Sequence, residues 1–157
     1  KIGYLMSRYL NICVATMTGT ALMVAEDIAD FCKDNDVSAN IIEMENLTIN
    51  DFLDLKGPVL ITSSTYGQGD VPDNGQEFYN TLKDVAPNLS HIKFTVFGLG
   101  DMTYRDTFAY GGKKFFQLLT DLKAEKIGNP YYHDASDGSL PEEEGVNWFK
   151  ENIISIL

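Results

Sequence analysis

Short apolar runs alternate with helical periodicities along this chain, and the alternation repeats to its end. Residues 10–15 form an apolar run, and a helical pattern follows over 21–33. There Val24, Ile28 and Phe31 share one face, with Ala25, Ala29 and Cys32 as small neighbours. Residues 38–44 predict a second strand, and 46–55 a loop with a helical turn that Lys56-Gly57-Pro58 closes. The continuous apolar run 59–63 predicts a strand buried on both faces. Asp73-Asn74-Gly75 then opens a helix carrying Phe78, Tyr79 and Leu82, which stops near Pro87. Residues 93–99 predict another strand, 113–122 a helix with Phe115, Leu118, Leu119 and Leu122 on its core face, and 124–133 a last strand. Pro141 opens a terminal helix with Glu142, Glu143 and Glu144 in its first turn, where the helix dipole favours acids. Trp148, Phe149 and Ile153 fall at core spacing in that helix.

Strands that alternate with helices through short connections predict an α/β fold, a parallel sheet covered on both faces. With five strands and right-handed crossovers the simplest result is a doubly wound sheet of order 2-1-3-4-5. Residues 1–157 then make one domain, to which residues 1–9 are surplus. In such a sheet ligands lie beyond the carboxyl ends of the strands, where the winding reverses. The loops after strands one, three and four are therefore expected to converge.

Composition narrows the function without changing that plan. The chain of 157 residues is 44 % hydrophobic, with no repeat and no apolar run long enough to cross a membrane. No charged-then-apolar leader opens it. Cys13 and Cys32 have neither CxxC spacing nor histidine neighbours, so buried reduced thiols and a cytoplasmic setting are expected, with a strand–helix disulfide as the alternative. A net charge of −11 argues against nucleic acid and anionic membranes. Asp70, Asp73, Glu77, Asp101, Asp106, Asp134, Asp137, Glu142, Glu143 and Glu144 gather in the loop regions against Arg105 alone, a rim that would steer basic partners. His91 and His133 are single, so no metal site is expected. His133 beside Asp134 is read as a packing or surface residue, with a pH-sensitive role as the alternative.

The loops carry the chemistry. Thr16, Met17, Thr18, Gly19 and Thr20 run from a strand into a helix, offering backbone N–H groups and hydroxyls to one spot. They include no lysine, which excludes the GxxxxGK[ST] loop of nucleotide triphosphatases. Neutral donors of this kind suit a terminal phosphomonoester. Ser64, Thr65, Tyr66, Gly67, Gln68, Gly69 and Asp70 set a tyrosine beside two glycines, whose peptides can reorient when a neighbouring ring gains a proton. Gly98, Leu99, Gly100, Asp101, Met102, Thr103 and Tyr104 set a second tyrosine beside glycines. Thr103 stands where a dinucleotide fingerprint needs its third glycine. A phosphate site joined to a site for a flat ring beside two tyrosines describes FMN. Ser63 and Ser64 lack the GxSxG elbow of a hydrolase. The acids of a phosphoryl-accepting receiver domain would follow strand one, where this chain has threonines.

These loops resemble those of short-chain flavodoxins, the MioC-type flavodoxins and the FMN domains of diflavin reductases. Thr16-x-Thr18-Gly19-Thr20-Ala21 is similar to their phosphate loop. Residues 63–70 with Pro72-Asp73-Asn74, and Phe97-Gly98-Leu99-Gly100-Asp101-x-Thr103-Tyr104 with Phe108, are similar to the two flavin loops, and Leu140-Pro141-Glu142-Glu143 to the tail. The resemblance implies FMN between Tyr66 and Tyr104, phosphate on residues 16–21, and the Gly67 carbonyl as partner of flavin N5. Leu22 stands where a glutamate is common, and the loop after Tyr104 is one residue longer than usual, around Asp106 and Thr107.

The expected function is that of a low-potential, one-electron FMN carrier rather than an enzyme. A ferredoxin/flavodoxin–NADP reductase is the expected donor, an acceptor redox enzyme meets the acidic surface, and the carrier acts as a monomer. The rival classes are a regulatory module on the same scaffold and an NAD(P)H-dependent quinone reductase.

Overall fold

The computed structural model describes residues 8–157. Its strands are β1 (Arg8–Ala15), β2 (Val37–Glu43), β3 (Val59–Ser63), β4 (Lys93–Gly100), β5 (Glu125–Lys126) and β6 (Tyr131–Asp134). They form one parallel sheet of order β2-β1-β3-β4-β5, in which β6 also pairs with β4. The helices are α1 (Thr20–Lys33), α2 (Ile49–Leu53), α3 (Asp73–Val85), α4 (Tyr110–Asp121) and α5 (Pro141–Trp148). The doubly wound order read from the sequence is thus the order observed.

Two apolar layers flank the sheet because successive strand residues point to opposite faces. Cys13, Ile61 and Val96 face α3 and α4, meeting Phe78, Leu82, Phe115 and Leu119. Ile12, Val14, Leu60 and Phe97 face α1 and α5, meeting Val24, Ile28, Trp148 and Phe149. Phe31 sits at the rim of this second layer, edge-on to Phe149. Cys13 and Cys32 lie on opposite sides of the sheet, both free and buried, so the disulfide alternative is closed. Burial pushes the Cys13 thiol up to about 12 and the Cys32 thiol to about 11, and neither is a nucleophile at neutral pH.

Three expectations need correction. Arg8 and Tyr9 are not surplus: they extend β1 and pair with Val37 and Ser38. Arg8 also donates through Nη1 to the Ile154 carbonyl (3.1 Å) and through Nη2 to that of Asn35 (2.9 Å). Residues 1–7 of the proposed extension lie outside the described residues. Helix α4 starts at Tyr110, three residues before the apolar periodicity suggested. Gly111 and Gly112 hide its first turn from propensity, and they are there because that turn lies against the backbone of Ser64 and Gly98. Finally, the last strand is broken. Lys93 pairs with Glu125 but Phe97 with Tyr131, so two extra residues bulge out, at a segment containing left-handed Gly128 (φ 66°) and Pro130.

Candidate functional site

The loop after β1 is shaped by its own threonine. The Thr16 amide donates to Asn74 Oδ1 (2.7 Å), and Thr16 Oγ1 accepts from the Gly19 amide (2.9 Å). Gly19 (φ 96°) takes the left-handed turn into α1 at no steric cost. Thr16 therefore holds the loop's form while Thr18 and Thr20 line the cleft beyond it. Met17 lies over the start of α3, its sulfur accepting from the Asp73 amide (3.3 Å). Ala21 is buried in the α1 layer.

The loop after β3 is closed at its base by a reciprocal bridge. The Tyr66 amide donates to the Asp70 carbonyl (2.8 Å) and the Asp70 amide to that of Tyr66 (2.7 Å). Peptide reorientation is thereby confined to Gly67, Gln68 and Gly69. Gly67 (φ 55°) is exposed, whereas Gly69 (φ 94°) is buried where a Cβ would stand 2.9 Å from the Tyr110 ring. Thr65 is a strut: its hydroxyl donates to the Leu99 carbonyl (2.9 Å) and accepts from the Gly111 amide (3.0 Å). Ser64, Thr65 and Gly67 border the cleft, while Tyr66 and Gln68 stand outside it, exposed.

Gly98 and Gly100 end β4 without side chains because Tyr132 and Ala109 occupy that space. Asp101 caps the following turn, accepting from the Thr103 amide (2.8 Å). Across from it, Asp134 Oδ1 accepts from the amides of Met102 (2.9 Å) and Ser136 (2.9 Å) and from the Ser136 hydroxyl (2.7 Å). The Met102 amide above all, then the Ser136 hydroxyl, holds the Asp134 carboxyl below the usual carboxylate range. This one carboxylate ties the third loop to the loop after β6. Tyr104 leaves the turn at φ −107°, ψ 61°, and presents a ring 68 % exposed at the cleft mouth. Phe108 is half-buried beneath Lys113, whose Nζ lies 5.0 Å from its centroid, and does not border the cleft.

The three loops enclose a cleft of about 560 Å³, within the roughly 300–1,000 Å³ of small-ligand sites. Leu99, Gly100, Asp101 and Tyr104 of the third loop line it together with Thr18 and Thr20 of the first. Thr107, Ala109, His133, Ala135, Ser139 and Pro141 complete it, and the sequence reading did not place these in the site. Four of them lie in or after β6, whose end was obscured by the broken edge strand. The clustered Asp134, Ser136, Asp137 and Ser139, each a residue type that folds its side chain onto nearby backbone, was the signal available. Among the described residues no group of three or more His, Cys, Asp or Glu could hold a metal ion. No described helix is long and apolar enough to cross a membrane.

A doubly wound parallel sheet whose ligand-sized cleft opens where its winding reverses defines the class: an α/β protein of the mononucleotide-binding type. The family model for flavodoxin matches residues 12–148, and the chain belongs to the flavodoxin family, whose members are FMN-binding electron-transfer proteins. It is 33 % identical to flavodoxin YqcA of Escherichia coli K12 over 90 % of this chain and 94 % of that one. It is 30 % identical to the sulfite reductase [NADPH] flavoprotein alpha-component of Zymomonas mobilis, spanning 94 % of this chain but 23 % of that protein. A cysteine-to-serine mutant of a Pseudomonas aeruginosa flavodoxin superposes with a TM-score of 0.80 at 27 % identity, covering 91 % of this chain and 95 % of that one.

Proposed function

We propose that this protein binds FMN in the cleft and carries single electrons from a reductase to an acceptor enzyme. The observation that carries the reading is the donor set of the cleft. Hydroxyls of Thr18 and Thr20 stand at the head of α1, where a phosphate is favoured, and the cleft also offers Leu99, Ala109 and the open ring of Tyr104 to a flat heterocycle. Those groups fit the phosphate and the ring of FMN at its two ends. Residues 16–21 would hold the phosphate, Tyr104 and Tyr66 would flank the ring, and Gly67, exposed and left-handed, would offer its carbonyl to N5. When bound, the flavin supplies the redox chemistry, and no side chain of the protein is consumed. Similarity to FMN-bearing reductases supports an NADPH-linked flavoprotein reductase as donor. The acidic loops would meet basic surfaces of donor and acceptor.

Titration of the purified protein with FMN, followed by visible absorbance and by quenching of flavin fluorescence, tests the reading. Stoichiometric uptake is expected, then anaerobic reduction by NADPH only when a ferredoxin–NADP reductase is added. A protein that stays colourless with excess FMN is a regulatory module instead. Steady NAD(P)H oxidation without added reductase would make it a quinone reductase.

A further inference from the structure

Among the described residues that line the cleft, His133 is the only one that can carry positive charge. The ring is 2 % exposed, at the end of β6 opposite Leu99. It points to the same face of the sheet as Tyr131, two residues earlier, whose ring stacks on Phe97 in the layer covered by α1 and α5. That is the side on which the threonine loop enters α1. His133 Nε2 lies 2.9 Å from Ser139 Oγ, and Ser139 Oγ–H donates to Asp137 Oδ1. A hydroxyl that donates to a carboxylate can only accept from the ring, so Nε2 carries the hydrogen. Nδ1 is then the atom that gains or loses a proton, and it has no hydrogen-bond partner among the described residues. The charged groups around the ring are acids: Asp134 and Asp137 on its own loop, and Asp101 of the third loop on the same cleft. Tyr104 borders the same cleft, and Arg105 does not.

Resting on the FMN reading, we propose that His133 is a proton-dependent contact for the phosphate of the flavin. With Nδ1 protonated, the ring offers an N–H and a positive charge to the phosphate dianion; with Nδ1 bare, it offers neither. The threonine hydroxyls and loop amides hold the phosphate at any pH. His133 adds a part of the affinity that rises with one bound proton and acts on FMN but not on riboflavin, which has no phosphate. The Asp137–Ser139–His133 chain fixes the ring so that this proton can sit only on the atom facing the ligand.

Dissociation constants for FMN and riboflavin, measured on the full chain near pH 6.5 and near pH 8.5, test the assignment, since histidine changes charge between about pH 5 and 8. The phosphate itself titrates near pH 6 and stays mostly dianionic over that interval. The preference for FMN over riboflavin should fall by up to about tenfold on going to the higher pH, a factor of ten corresponding to one unit of pKa coupling. In His133→Gln the preference should be flat. A wild-type preference that does not change with pH overturns the assignment, as does an equal change in the variant. Wild-type protein that binds neither flavin overturns the FMN reading itself, and this assignment with it. Should the variant fail to fold, NMR titration of the ring protons of the unaltered protein decides, because the chain has only two histidines. One midpoint should move up with FMN and stay put with riboflavin; no movement with FMN overturns the assignment.

Discussion

Tyr104 shows how much can rest on one ring. A large side chain left 68 % exposed at a cleft mouth forgoes its own burial, which a planar ligand would restore. Stacking adds about 1 kcal/mol to that burial. Tyr104→Ala should therefore raise the FMN dissociation constant by about tenfold or more, since each tenfold step is roughly 1.4 kcal/mol. Tyr66→Ala should cost less, because that ring stands outside the cleft in this structure. Parallel fluorescence titrations of the two variants give the comparison, and an unchanged constant for Tyr104→Ala would remove it from the site. At this scale the sequence was readable where a residue's type alone set its task, as for Gly67 and Gly69, which take the positive φ open to glycine. It misled where a hydroxyl had two employments. Thr65 looks like a ligand donor in a string of letters, yet its hydroxyl donates to the Leu99 carbonyl and accepts from the Gly111 amide, whereas Thr16 accepts from the Gly19 amide and keeps its own O–H to donate. Hydrogen-bond partners far apart in the chain cannot be read from spacing.

Among elements, the informative pair is the third loop and the segment after β6, joined through Asp134. Its carboxyl is held below the usual range, so the sign of the pH effect is fixed. The clamp is at full strength above the unfolded value of about 3.9 and is lost as pH falls through the lower folded value. Asp134→Ala removes the acceptor at every pH. It should weaken FMN binding at neutral pH while leaving the thermal midpoint nearly unchanged, because the carboxylate joins two exposed loops rather than the core. Thermal melts of the apoprotein beside flavin titrations separate the two effects, and a large fall in melting temperature would contradict the account. Elements with strong periodicity, such as α1 and α3, were legible to within a residue or two. The start of α4 was not, since its two glycines answer to backbone contacts with β3 and β4 that no local propensity records.

Over the whole molecule, the sign of the charge dominates. Asp70, Asp73, Glu77, Asp106, Asp137 and Glu143 are exposed around the loops, Asp101 and Asp134 half-exposed, with a net charge of −11 behind them. Adding electrons to a bound flavin in that field costs Coulomb energy, so the couple that completes reduction should lie below that of free FMN. Raising the salt should move it back towards the free value as the exposed charges are screened over about 10 Å or less. Anaerobic potentiometry at two ionic strengths checks both, and a couple at or above that of free FMN would refute the argument. The sheet order was legible at this scale because strands and helices alternate without interruption. The extent of the cleft was not, because its last wall depends on where β6 ends.

The break between β5 and β6 has a consequence for life at high concentration. An unbroken outer strand would present a row of unsatisfied amides and carbonyls to any second molecule. Here the outermost run is two residues, then a jog, then four, with Pro130 supplying no amide at the junction. Such a margin is a poor template for stacking copy upon copy, so concentrated protein resists growth of its sheet from that side.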